Sequence, residues 1–176
     1  MDITEVILFQ HHQQRRMFAA LDELDRGDAT GLAAVWAQLA RFLEVHATAE
    51  ERYFYPEVLK VGHGAGGAHS AADETEDAIG DHNDIRDAIA RAGEHETGSE
   101  DWWQAVIEAR LANSDHMAEE EREDLADFRQ HASLQLRHDV AVRFLVFEAQ
   151  HADGVQPHDL NPGEYVATGG ASSSEE

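Results

Sequence analysis

There is no cysteine anywhere in the 176 residues, so disulfides, thiolate nucleophiles, iron–sulfur clusters and cysteine-type zinc sites are excluded together. No apolar run approaches the ~20 residues that a membrane-spanning helix needs. The opening Met1-Asp2-Ile3-Thr4-Glu5 lacks the basic start of a signal peptide, and the location this predicts is the cytoplasm. Lysine is nearly missing: Lys60 stands alone. Acidic side chains dominate instead, and a formal net charge of −23 repels both nucleic acid and anionic membrane. Neither is therefore expected as a partner, whereas cations are favoured. Aromatics are few at 7%, yet apolar residues reach 42%, enough for one domain with a core of its own.

Gly and Pro are sparse enough to act as punctuation. A first apolar-periodic stretch runs from about Ile3 to Arg26 and stops at Gly27-Asp28. A second runs from about Thr30 to Val61, with Leu32, Val35, Trp36, Leu39, Phe42 and Leu43 at helical spacing. Pro56 is expected to kink it or end it locally. Gly62 to Gly67 reads as a flexible loop, and Ser70 with Asp73 as a helix start resembling a capping box. The third helix reaches about Ala92, and Gly93 to Gly98 forms the next connection. From Gly98 to Gly154 neither residue intervenes, which is too long for one helix. A break near His131 to Ser133 and a fifth helix to about Gln150 are expected. No period-2 alternation is present. The reading is all-α: an up-down-up-down four-helix bundle with an extra C-terminal helix over residues 1–152, then a disordered tail over 153–176.

What the chain has in excess is histidine, with 12 residues. The placement of some of them repeats. His46-Ala-Thr-Ala-Glu50-Glu51 returns 70 residues later as His116-Met-Ala-Glu-Glu120-Glu121. His11-x-x-x-Arg15 with Phe18 and Leu21 matches His82-x-x-x-Arg86 with Ile89 and Ala92 at an offset of 71. Each half therefore reads as a His on one helix, then His-x-x-x-Glu on the next. Side chains four apart share a helix face, with Cβ atoms about 5–6 Å apart, so both can reach one ion. His46 continues the apolar line of Leu39, Phe42 and Leu43, and His82 is flanked by Ile79, Ile85 and Ile89. Two carboxylates carried into a core on such faces cost several kcal/mol unless something positive lies between them. A bound metal is the expectation. Imidazole with carboxylate suits iron, manganese or zinc.

This set of motifs resembles the hemerythrin-like (HHE) cation-binding domain, a non-haem diiron four-helix bundle. The resemblance covers about residues 3–150 and includes Glu51-Arg-Tyr53-Phe-Tyr55-Pro56, similar to the family's acidic-aromatic-proline stretch. It implies His11, His46, His82 and His116 as terminal imidazole ligands and Glu50 and Glu120 as carboxylates bridging two non-haem iron ions, with an oxo or hydroxo bridge between them. Arg15 and Arg86 match a family position without being ligands. His12 is the alternate for His11, because strict repetition selects it, whereas Ile7, Leu8, Phe18 and Leu21 surround His11. The family's reversible oxygen carriers have a further histidine four residues before the third-helix ligand. That position is Ala78 here, which argues against simple oxygen transport. Tyr53 or Glu123, one turn beyond Glu50 and Glu120, is a further candidate contact.

Competing chemistries lack parts. The ferritin-like diiron class needs Glu-x-x-His on two helices, and only Glu148-x-x-His151 matches. Walker loop, Gly-x-Ser-x-Gly elbow and His-Glu-x-x-His are all missing. The expected function is a hemerythrin-like protein binding or consuming a small oxidant (dioxygen, peroxide or nitric oxide), with catalase-like peroxide dismutation as its enzymatic form. The alternative is iron storage or donation, or oxygen or redox sensing without turnover. The expected assembly is a monomer or weak homodimer. His63, His69, His95, His131, His138, His151 and His158 read as bystanders.

Overall fold

The computed structural model describes residues 1–170. Among the described residues there is no strand. The helices are α1 (Ile3–Glu23), α2 (Ala29–Ala49), a π-helical turn (Glu50–Phe54), α3 (Tyr55–Val61), α4 (Ala71–Gly93), α5 (Glu100–Arg122), α6 (Asp124–His131), α7 (Leu134–Gln150) and α8 (Pro162–Ala167). No helix is long and apolar enough to cross a membrane.

Most starts are capped by the short polar residue that the backbone needs there. Asp2, Asp28, Ser70, Ser99, Ser133 and Asn161 each accept a hydrogen bond from a backbone amide of the first turn. Ser70 also donates to Asp73 at 2.9 Å, so the expected capping-box variant is formed.

Helix α4 packs on α5 and α1 on α2, while α1 touches α5 and α2 touches α4. The fifth long helix, α7, lies on α1, α2 and the π-helical turn of its own chain. The apolar interior falls into two cores. One joins Phe18, Leu21, Leu32, Trp36, Leu39, Trp102, Trp103 and Val106. The other joins Ile3, Ile7, Phe54, Val58, Ile79, Phe128, Val140 and Phe144. Between them, at His11, His46, His82 and His116, lies a buried polar layer.

Before Pro56 the α-helix is interrupted, as expected: α2 ends at Ala49 and a π-helical turn follows. Pro56 has no amide to give to the Arg52 carbonyl, and its ring would crowd that oxygen. The backbone widens there, and the Tyr55 amide bonds the Glu50 carbonyl five residues back. The expected break at Ala132–Ser133 is present, and a second break falls at Glu123. There the 62–70 loop presses in: a Cβ on Gly66, at φ +60°, would lie 2.6 Å from Glu123 Cγ. This loop, expected to be flexible, is held by carboxylates. Asp127 accepts from the His63 and Gly64 amides, Glu74 from Ala65 and Glu123 from Gly67.

The expectation of a disordered tail from residue 153 does not hold for 153–170. Asn83 exchanges two hydrogen bonds with the Leu160 backbone, and Tyr165 is buried with its hydroxyl donating to the Glu51 carbonyl. One aromatic anchor and one side-chain amide outweigh the Gly and Pro content. Only residues 171–176 of that tail lie outside the described residues.

Candidate metal centre

Four helices and the π-helical turn converge on the polar layer. His11 comes from α1, His46 from α2, His82 from α4, and His116 with Glu120 from α5. Glu50 opens the π-helical turn. All six are at least 97% buried. His46 Nε2 lies 3.0 Å from Glu50 Oε1, and His82 Nε2 lies 3.4 Å from Glu50 Oε2. His11 Nε2 is 3.1 Å from Glu120 Oε2, and the Nε2 atoms of His82 and His116 are 3.2 Å apart. Two groups result, each compact enough to hold one ion: His11, His46 and Glu50, and Glu50, His82 and His116. Glu50 is common to both.

The outward nitrogens of His11, His46 and His82 are hydrogen-bonded, which aims Nε2 of these rings inward. His11 Nδ1 is 3.0 Å from Glu121, which also accepts from Arg15 at 2.7 Å. His82 Nδ1 is 2.9 Å from Glu51, which accepts from Arg86 at 2.8 Å. His46 Nδ1 meets Gln10 Oε1 at 2.6 Å, and Gln10 in turn donates to Glu148. His116 Nδ1 has Asp81 at 3.5 Å. The repeat in the sequence thus has a spatial meaning. The second Glu of each His-x-x-x-Glu-Glu reaches the His and the Arg of a His-x-x-x-Arg on a different helix.

Whether these residues suit a cation is decided by what they leave unmet. His11 Nε2, His46 Nε2, both Glu50 oxygens and Glu120 Oε2 are buried without a hydrogen-bond partner. Their close mutual approaches have distances but not the directions of hydrogen bonds. Five such atoms, each a donor atom that metals accept, converge on one spot. In a close-packed interior each would cost on the order of 1–3 kcal/mol, so the residues fit a cation. Without an ion, proton balance has to serve. Burial is the strongest influence on His11 and opposes its charge, yet Glu120 and Glu121 outweigh it and hold the ring up at about 9. His82 is held at about 9 against the same penalty by Glu50 and Glu51. Glu50 is held far below the usual carboxylate range, again against burial, by His46 and then His82.

All six residues expected from the sequence are brought together. His12 is exposed and takes no part. Tyr53 packs on Phe147 with ring centroids 5.8 Å apart, and Glu123 faces Arg122 and the Gly67 amide. Neither reaches the cluster. The tyrosine that does is Tyr55, fully buried and donating to Glu120 Oε1 at 3.0 Å. Glu51, Glu121, Gln10, Glu148, Asp81 and Glu44 belong to the surroundings and were not expected as such. For Glu51 and Glu121 the signal is present in the sequence, in the doubled Glu of both repeats. Among the expected bystanders, His131 pairs with Asp127, and His151 stacks on Phe147.

Fold and site together define an all-helical protein with a buried His/Glu cluster suited to cations. The hemerythrin HHE cation binding domain family model matches residues 2–128. The chain belongs to that family. No curated protein and no solved structure matches the chain.

Proposed function

We propose that the cluster holds two non-haem iron ions, with His11 and His46 toward one, His82 and His116 toward the other, and Glu50 and Glu120 shared. The four long helices α1, α2, α4 and α5 would form the up-down-up-down frame around them. The single observation that carries this reading is the convergence of five partnerless buried donor atoms, with Glu50 common to two three-residue groups. With four imidazoles and two shared carboxylates, each ion has about four protein contacts, and positions stay open for a small ligand. When bound, an iron pair supplies two-electron redox chemistry at one buried point. We infer from this that the protein binds or consumes a small oxidant (dioxygen, peroxide or nitric oxide), with peroxide dismutation as the reaction to test first.

The chain's own groups have definable parts in such chemistry. Glu121 and Glu51 keep a proton on the outer nitrogens of His11 and His82, which fixes the tautomer that faces inward. The Tyr55 hydroxyl, 3.0 Å from Glu120 Oε1, donates to that oxygen, and burial first, then the charges of Glu120 and Glu50, keep the phenol un-ionised. It can steady either a carboxylate or a small polar ligand. The apolar residues of the two cores keep bulk water out on both sides.

Metal analysis with an absorption spectrum, on protein purified without added metal, tests the first step. About two irons per chain with near-ultraviolet bands of a bridged ferric pair are expected. No metal and no ferrous uptake would sink the reading. Oxygen evolution from peroxide then separates an enzyme from a store or sensor with the same ligands.

A further inference from the structure

Between α4 and the α5–α6 junction lies a narrow cavity of about 10 Å³ that reaches from the surface to His116 and Glu120. Of its lining residues only Ala78 and His116 are not acidic. At the outer end Asp77 and Glu119 are exposed. At the inner end Asp124 is 97% buried, and its Oδ1 has no hydrogen-bond partner. Glu74 gives one oxygen to the Ala65 amide and leaves Oε2 buried and unpartnered. The loop contacts therefore explain half of Glu74 and none of Asp124 Oδ1. The nearby cation, Arg122, sits outside on Glu119 and Glu123.

We propose that this cavity is the route by which a divalent cation enters the His/Glu cluster. The proposal rests on the reading of that cluster as a metal centre. Exposed Asp77 and Glu119 attract the hydrated ion, as like-signed charge around a cleft raises on-rates for the opposite sign. A cavity that holds about one water cannot pass a full hydration shell. The free oxygens of Asp124 and Glu74 replace lost waters in turn, and Glu120 with His116 receive the ion at the inner end. Hard oxygen ligands without imidazole suit such transit, because they exchange faster and hold less firmly than the mixed cluster beyond. Asp81 is reserved from the test because it also contacts His116.

The experiment mixes the metal-depleted full chain with cobalt(II) in a stopped-flow instrument and follows the cobalt absorption bands. Equilibrium cobalt content is measured in parallel. The variants are Asp124→Asn, the exposed pair Asp77→Asn/Glu119→Gln, and Glu96→Gln at an exposed position of the α4–α5 connection as a charge control. Asp124→Asn and the pair should slow uptake about threefold or more at low salt. Cobalt per chain should equal wild type, and the defect of the exposed pair should shrink at high salt. Glu96→Gln should match wild type. Wild-type rates in both Asp124→Asn and the pair would overturn the route. Reduced cobalt content in Asp124→Asn would overturn it too, by making Asp124 part of the holding site. If wild type itself takes up no cobalt, the metal centre fails and the route with it.

Discussion

Two arginines at the same spacing from a histidine sit in unequal surroundings. Arg86 is buried between Glu44 and Glu51, at 3.2 and 2.8 Å, whereas Arg15 reaches Glu121 with 39% of its side chain exposed. Arg86→Met strips buried Glu44 of its cation and leaves Glu51 only His82, an expected loss of about 3–5 kcal/mol. Arg15→Met should cost less than about 1 kcal/mol. Urea unfolding of the metal-free protein measures both, and equal losses would show that burial does not set the cost. Glu51→Gln weakens the grip on the His82 proton, and cation affinity should fall about 10–100-fold in chelator competition. An affinity equal to wild type would detach Glu51 from the centre. The same contacts fix the pH dependence. His11 and His82 sit at about 9, above their ordinary 6.5, so in the metal-free protein their charge stabilises fully below 6.5. That contribution is lost as pH rises through about 9. A bound cation needs both rings neutral, so its affinity should tighten between about pH 7 and 9 with protons released on binding. Flat affinity across that window would refute the assignment of these rings as cation partners.

The element that decides the inner surface of the cluster is the π-helical turn. An α-helical register carried past Glu50 puts Tyr53 near the ligand face, whereas the wider turn, closed by the i→i+5 bond from Tyr55 to Glu50, puts Tyr55 there and leaves Tyr53 against Phe147. Pro56 is plain in the sequence, but its outcome depends on whether the packed chain bends or widens, and α7 lying along this turn is a tertiary fact. Likewise the doubled Glu is visible in the repeat, while the helix that each second Glu reaches is not. The tail misled for a related reason: composition cannot show that Tyr165 finds the Glu51 carbonyl. Tyr55→Phe tests the turn's contribution. Without an ion it leaves Glu120 Oε1 buried and partnerless, an expected cost of about 1–3 kcal/mol. With the ion bound, Glu120 can turn that oxygen to the metal, and the loss should be smaller. Melting of both forms reads the difference. A larger loss in the loaded protein would mean that the Tyr55 hydroxyl meets the ion rather than Glu120.

At the scale of the molecule, a polar layer divides two apolar cores, and the chain carries a net charge of −23. The helical frame is legible in the sequence because scarce Gly and Pro mark its ends and apolar periodicity marks its inner faces. The division into two cores is not legible there, because the shared level of the ligand-spaced histidines is set by how the helices pack. The two features act on stability by separate physics. A cation bound only by the folded state at 1,000 times its dissociation constant adds about 4 kcal/mol. At about 2–4 °C per kcal/mol for a chain of this size, Tm should rise on the order of 10 °C. Self-repulsion of the acidic surface is instead relieved by screening, with or without the ion. Sodium chloride should therefore raise the Tm of the metal-free and loaded forms by similar amounts. Glu50→Ala separates the two effects, because Glu50 is shared by both three-residue groups. That variant should keep the salt response and lose the metal response. If added iron still raised its Tm as in wild type, the stabilising ion would be bound somewhere other than between these six side chains.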